Sequence, residues 1–416
     1  IDAVTQLPAE GYSVKVSAWR VLFEPLTGPL IFLMRSPAPL KLYLAAFLWI
    51  IGGLLMASLW QKGFKAATLL AWLKKVPLYI SLLISLLLVV IFAPLPGDVI
   101  VNHHDHTVLV NVHSHSYYSH DGLISPKGLI EWHKYQQFDA FFLTEHNHHD
   151  KTLELVQNQR SREITDQPLV LPGQEYSGSN HILLLGLKRV FNTKNFPDKT
   201  AIDSAHAQNG VAIVAHWFTP ARNTKPLANY LDAGADGCEI VNQADGAFYP
   251  EPLSSQVIQS CRERGLTMVS ACDYHGYGNI CQSWTAFRIP GWRQMAQAQK
   301  QESVLELLRN RNQDRIQVLV LRDRPQNSFP TWLRPWATAW YYFRNLTLSQ
   351  IISWIFWIFL LFFTKNYYIF IATTVTFLGH IVMICTGIYM LYMVPRLQGY
   401  NEIFLEYGGW FLGIGI

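Results

Sequence analysis

Apolar and polar positions are distributed differently at the two ends of this chain and in its middle. At the ends, charge vanishes for whole windows: Leu42–Gln61 and Val76–Gly97 before the middle, Asn345–Thr364 and Asn366–Pro395 after it, contain no Asp, Glu, Lys or Arg. As helices, these windows can cross the roughly 30 Å of bilayer hydrocarbon, and the last is longer than one span needs. Trp60, Trp72, Trp332, Trp336, Trp340, Tyr341 and Tyr342 flank them, as aromatic side chains do at a membrane surface. Four such windows together argue against buried helices of a soluble protein. The first starts too far from the N-terminus for a secretory signal.

Between Asp98 and Asp323 the pattern becomes short β-type apolar runs at 107–113, 139–144, 168–172, 182–187, 211–215, 237–241, 267–272 and 284–288, separated by amphipathic stretches. That alternation predicts an α/β domain. Ser125 can cap a helix whose first residue is Pro126, and Ser303–Asn310 has helical apolar spacing. The expected plan is a lead over 1–40 with an apolar patch at Val21–Met34, two transmembrane helices over 41–97 and the α/β domain over 98–323. An interfacial connector over 324–344, two further transmembrane helices over 345–395 and a tail over 396–416 complete it. No repeat is visible, and the tail's GGWFLGIGI fits no pattern. The first residue is Ile, as expected of a chain whose own start lies upstream.

Composition agrees with a membrane reading: 416 residues, 50% hydrophobic, mean hydropathy +0.12. The net charge of +4 is dispersed, with no basic block dense enough to track a nucleic acid. The five cysteines show no CxxC spacing, which excludes a zinc ribbon or a dithiol redox motif. Pairing among Cys238, Cys261, Cys272 and Cys281 would fit an outer location. Lys62, Lys65, Lys74 and Lys75 crowd the loop between the first two spans, and short basic loops stay in the cytoplasm. Arg35, Lys41, Arg334 and Arg344 pull the other way. The expected site is a bacterial inner membrane with the α/β domain on the periplasmic side.

The candidate chemistry sits where the β runs end: His113 and His115, His146, Glu175, His181, His216, and Asp273 with His275. Side chains two apart on a strand point the same way, so His113/His115 and Asp273/His275 each aim at one side. Strand ends converge in a barrel, and imidazole with carboxylate suits Zn, Mn or Fe. Glu239 is placed to orient a ligand His. His148 and Arg222 are the candidates for contacting substrate, Arg222 because a guanidinium fork matches phosphate oxygens. His103, His104 and His106 read as an exposed linker, His133 and His206 as ordinary helix residues, and His380 as a helix-to-helix hydrogen bond.

The segments HSHSYYSHDG, TEHN, GQEYSG, HILLLG, VAHW and ACDYHG, in that order over residues 107–290, resemble the PHP (polymerase and histidinol phosphatase) family of metalloesterases. The resemblance implies a distorted (β/α)7 barrel, flanked here by transmembrane α-helices, with two or three divalent ions (Zn, Mn or Fe) at the strand C-termini. It implies that His113, His115 and Asp273 hold one cation, Glu175 bridges it to a second held by His181 and His216, and His146, His275 and Asp121 hold a third. Where the family has SDG this chain has SHDG, so His120 or Asp121 fills that position, and Glu145 replaces an Asp. The implied activity is hydrolysis of a phosphate mono- or diester by metal-activated hydroxide, with Glu175, His216 and Asp273 catalytic. Membrane lipids are the expected partners and a lipid-linked phosphoester the expected substrate, with no nucleic acid. The alternatives are a nuclease or nucleotide phosphatase, and a non-catalytic metal-binding sensor or partner subunit. A transporter is disfavoured because the uncharged windows hold no carboxylate.

Overall fold

The computed structural model describes residues 1–36, 39–92, 97–162, 166–217, 225–243, 253–278, 281–324, 329–364 and 367–416. Its strands are β1 (Tyr12–Val16), β2 (Asp98–Asn102), β3 (Thr107–Asn111), β4 (Ala140–Leu143), β5 (Leu169–Ser177), β6 (His181–Leu185), β7 (Val211–Val214), β8 (Gly237–Asn242), β9 (Thr267–Ala271), β10 (Ser283–Arg288) and β11 (Ile316–Val320). β1 and β2 form a separate ribbon, and the other nine make one sheet in the order β11-β10-β3-β4-β5-β6-β7-β8-β9. The sheet curls back on itself through a side chain: Thr285 Oγ1 of β10, next to the edge strand β11, accepts from Ser270 N of the other edge strand β9 at 2.9 Å and donates to Ser270 O at 3.0 Å. The result is a mixed α/β fold around a nearly closed, barrel-like sheet.

The sheet departs from an all-parallel seven-stranded barrel. β3, β4 and β5 are parallel, as are β7, β8 and β9, but β6 is antiparallel to both of its neighbours. The cause is the connection: Gly178–Asn180 alone joins β5 to β6, and a parallel return needs a crossover of a dozen or so residues. β10 is likewise antiparallel to β3 and β11. The eight expected strands are all present, whereas β1, β2 and β11 were not anticipated. Val110, Phe142, Leu171, Leu183, Ile213 and Val269 fill the barrel. Outside it, Ser125 Oγ caps the helix Pro126–Tyr135 by accepting from Gly128 N at 3.1 Å.

Among the described residues, three helices are long and apolar enough to cross a membrane: Pro39–Lys62, Ala66–Leu88 and Thr376–Arg396. A fourth is available only if Arg334–Arg344 and Leu348–Thr364, bent by 111°, count as one span. The 17 residues of Leu348–Thr364 reach only about 25 Å as a helix, which is why this segment falls short alone. The expected connector carries a helix, Arg334–Arg344. The tail forms a helix, Ile403–Gly415, that lies against Tyr368–Met393. Its glycines explain the close approach: a Cβ on Gly408 would meet Leu391 at 2.9 Å, and one on Gly415 would meet Ile384 at 2.7 Å. His380 Nδ1 lies 3.1 Å from Gly415 O across that interface, the helix-to-helix bond expected of it.

Buried charges fasten the barrel to these helices. Arg35 reaches Asp98 at the start of β2 at 2.6 Å and Asp323 beyond β11 at 3.3 Å. Arg324 donates to Phe32 O at 2.6 Å and lies over the Phe32 ring at 3.5 Å. Both ends of the domain thus meet at the segment just before Pro39–Lys62.

Candidate metal centre

Each strand end delivers its side chain by a local backbone device. His113 and His115 sit just beyond β3, two apart, and the bridge Ser114↔Tyr274 ties that segment to the one carrying Asp273 and His275. The bridge His146↔Glu175 does the same for β4 and β5. His216 and Asp273 have positive φ, 25° and 46°. L-residues avoid that region, and such strain gathers at sites that need a side chain turned against its strand.

Four atoms form an inner cage. His113 Nε2 lies 2.9 Å from His115 Nε2, and each lies 3.2 Å from Glu175 Oε2. Asp273 Oδ1 is 3.2 Å from the first imidazole and 3.3 Å from the second. Glu175 turns its other oxygen the opposite way: Oε1 is 2.5 Å from His181 Nδ1 and 3.3 Å from His216 Nε2. An outer group completes the cluster, with Asp121 Oδ2 3.3 Å from His275 Nε2 and Asp121 Oδ1 3.5 Å from His146 Nε2. His120 and Asp121 differ in burial: the His120 side chain is 66% exposed and Asp121 is 23% exposed.

Second partners hold these groups in place. Glu239 Oε1 is 2.7 Å from His113 Nδ1, and its Oε2 accepts from His216 N and from Asn242 Nδ2. His115 Nδ1 lies 2.9 Å from Ser119 Oγ, which donates to the fully buried Glu145 at 2.6 Å. Glu145 also accepts from Ser116 N, so it anchors the loop bearing His115. Burial opposes charge on Glu175, Asp273 and Asp121, yet the surrounding imidazoles hold all three below the ordinary carboxylate range. Burial likewise opposes charge on His113, His115 and His216, but Asp273 and Glu175 win and hold them up, His115 at about 9. His146, where burial prevails, falls to about 4.

The cluster fits divalent cations. Asp121 Oδ1, His146 Nε2, Asp273 Oδ1 and His275 Nε2 are buried and find no hydrogen-bond partner among the described residues, a costly state unless a cation meets them. The nine side chains singled out in the sequence all fall in groups whose ligand atoms lie within 4.8 Å of one another. Of the two substrate candidates, His148 stands at the rim, 3.2 Å from Asp150 with its ring against Tyr400. Arg222 lies outside the described residues. Sequence reasoning missed Ser119, Asn242 and Asn401, small polar residues with no spacing to mark them. A cavity of 940 Å³ lies elsewhere, beside Asp139 and Leu169 where β4 and β5 begin.

No family model and no curated protein matches the chain. Among solved structures it is similar to a two-domain Bacteroides vulgatus protein described as containing a predicted PHP-like metal-dependent phosphoesterase, at 21% identity and TM-score 0.41 over 56% of this chain and 69% of that one. It is also similar to a Bifidobacterium adolescentis protein described as a metal-dependent phosphoesterase, at 14% identity and TM-score 0.33 over 41% of this chain and 88% of that one. PsfC of Pseudomonas syringae is a third, at 14% identity and TM-score 0.38 over 58% of this chain and all of that one.

Proposed function

We propose that the chain is a membrane-integrated, metal-dependent phosphoesterase that hydrolyses a phosphate mono- or diester. The observation that carries this reading is the inner group, where two buried imidazoles each lie 3.2–3.3 Å from the same two carboxylates. His113, His115, Glu175 and Asp273 would hold one cation, Glu175, His181 and His216 a second, and Asp121, His146 and His275 a third. When bound, such cations neutralise phosphoryl oxygens and lower the pKa of water at neutral pH.

The protein's own contribution is placement and charge. Glu175 presents one oxygen to each neighbouring group of imidazoles, so it can hold two cations close while offsetting part of their repulsion. Glu239 fixes His113 through its Nδ1, which leaves Nε2 aimed into the cage. The fully buried His113, His115 and His216 keep bulk water away from the inner side. His120, with its ring 4.6 Å from that of His146 and its side chain 66% exposed, would be the group to give a proton to a leaving alkoxide, with His148 as the second candidate.

The test is phosphate or alcohol release from p-nitrophenyl phosphate and bis(p-nitrophenyl) phosphate by the purified full chain, loaded in turn with Zn, Mn and Fe. Activity lost to a chelator and restored by one of these ions is expected. Tight cation binding with no turnover of any phosphoester would replace this reading with the sensor. Cleavage confined to oligonucleotides would replace it with the nuclease.

A further inference from the structure

Two independent features turn the strand-end face of the barrel toward the apolar helices. The first is strand direction. β10 is antiparallel to both β3 and β11, so β11 runs the same way as β3, β4 and β5, toward the cluster. The chain leaving β11 at that face is seized at Asp323 and Arg324 by Arg35, Ser36 and Phe32, directly ahead of Pro39–Lys62.

The second feature is direct contact between the site's loops and the helix ends. Gly278, three residues after His275, donates to Ile91 O at 2.7 Å, at the end of Val76–Phe92. Asn401, in the turn between Tyr368–Met393 and Ile403–Gly415, donates to Ser119 O and Gly122 O, both at 2.7 Å. Those two carbonyls bracket Asp121. Tyr118 packs on Tyr400 at 5.2 Å and Tyr117 on Phe404 at 6.4 Å, while Tyr400 donates to Asp150 at 2.7 Å.

The cluster is open on this same face. Its inner imidazoles are fully buried, and the most accessible members are His120, 66% exposed, and Asp121, 23% exposed, on the loop that Asn401 clasps. Around the opening stand Lys151 over the Tyr118 ring at 5.8 Å and Tyr277 beside His275, and the hairpin that carries Tyr400 also bears Arg396, over the Tyr392 ring at 3.8 Å. Mixed cations and aromatics of this kind belong at the headgroup level of a bilayer. Val382 and Tyr389 expose an apolar helix face next to it, along which acyl chains can lie.

We propose that the centre takes the phosphoester headgroup of a lipid still seated in the bilayer, entering from the interface, and that Asn401 is the positioning residue by which the membrane helices set the Asp121 loop. This rests on the phosphoesterase reading above. A phosphoryl anion on a lipid anchor is presented in the plane of the rim cations, so its local concentration is that of the membrane surface. A free phosphate monoester shares the anion but lacks the anchor.

The test uses the full chain in phosphatidylcholine vesicles doped with phosphatidic acid or phosphatidylglycerol. Cys385 is the one exposed cysteine, so in a Cys385→Ser background a bimane label is placed at Glu402→Cys beside the rim or at Glu263→Cys ahead of β9 on the far face. A nitroxide on the lipid headgroup should quench the label at Glu402→Cys several times more strongly, and equal quenching overturns the proposal whatever the activity. Hydrolysis of each bilayer lipid is then set against its water-soluble dihexanoyl form, with about tenfold preference for the bilayer form expected. Equal turnover of the soluble form overturns the lipid assignment and leaves the phosphoesterase reading standing. Hydrolysis of neither, with p-nitrophenyl phosphate still turned over, overturns the lipid assignment alone; no turnover of any of these esters, with cations bound, removes both readings together. Asn401→Leu should lower the bound outer cation, read as metal content, while Asn401→Gln keeps part of it; unchanged content in Asn401→Leu overturns the positioning role.

Discussion

The inner and outer halves of the cluster are built on different foundations. His113, His115, Glu175, His216 and Asp273 are 0–5% exposed and come from strand ends braced by Glu239 and Asn242. Asp121, by contrast, hangs on the loop Tyr117–Leu123, whose carbonyls are held by Asn401 from another part of the chain. The inner half therefore inherits the rigidity of the sheet. The outer half depends on whether the C-terminal hairpin is docked.

The largest effect that can break this contrast is at the residue shared by the halves. Glu175→Gln should remove cations from the inner groups and lower turnover by about 10³-fold, roughly 4 kcal/mol of transition-state stabilisation. Metal content by mass spectrometry and phosphate release check it, and a variant with full cations and full activity would sink the arrangement. Glu239→Gln touches no cation directly but loosens His113 and His216, so inner-site affinity should weaken by about 10- to 100-fold in a chelator competition. Asp121→Asn sharpens the division, with loss of about one cation per chain and roughly tenfold weaker binding for it, the inner cations staying. Parallel loss of all cations in Asp121→Asn would show that the halves are one unit.

The smallest effect lies outside the cluster and concerns pH. Buried His133 stacks on Phe141 at 3.8 Å, and its Nε2 accepts from Asn111 Nδ2 at 2.9 Å. Burial lowers its pKa from 6.5 to about 3. The unfolded chain therefore takes up this proton first, so the stability His133 contributes is complete above pH 6.5 and is lost as pH falls toward 3. Thermal unfolding of the cation-free protein should show Tm declining across that window, with a shallower decline in His133→Gln. Identical slopes would refute the assignment.

Much of this architecture was legible along the chain. Apolar β runs ending in His, Glu or Asp marked both the strands and the side chains that meet, because burial demands apolar residues within a strand and a polar one only where it opens on a pocket. The uncharged windows marked Pro39–Lys62 and Thr376–Arg396 for the same reason, whereas the span Ala66–Leu88 begins before its window Val76–Gly97 and takes in Lys74 and Lys75. Antiparallel β6 was less visible, since a three-residue link says that the chain turns back but not where the partner lies. β11 was missed because IQVLV carries no ligand at its end. Glu145 was seen only as an oddity in TEHN, and nothing in the sequence shows that it fastens Ser116 and Ser119.

What the sequence determined by itself is therefore the content of each segment: which runs are strands, which helices are apolar enough for lipid, and which side chains can bind a cation. These properties are local, set by spacing and side-chain chemistry within about ten residues. The tertiary structure alone decided how Glu175 divides its two oxygens, that Asn401 clasps the Asp121 loop, and that the strand ends face the apolar helices. Each of those joins residues far apart in the chain, and such contacts follow from packing that no single segment encodes.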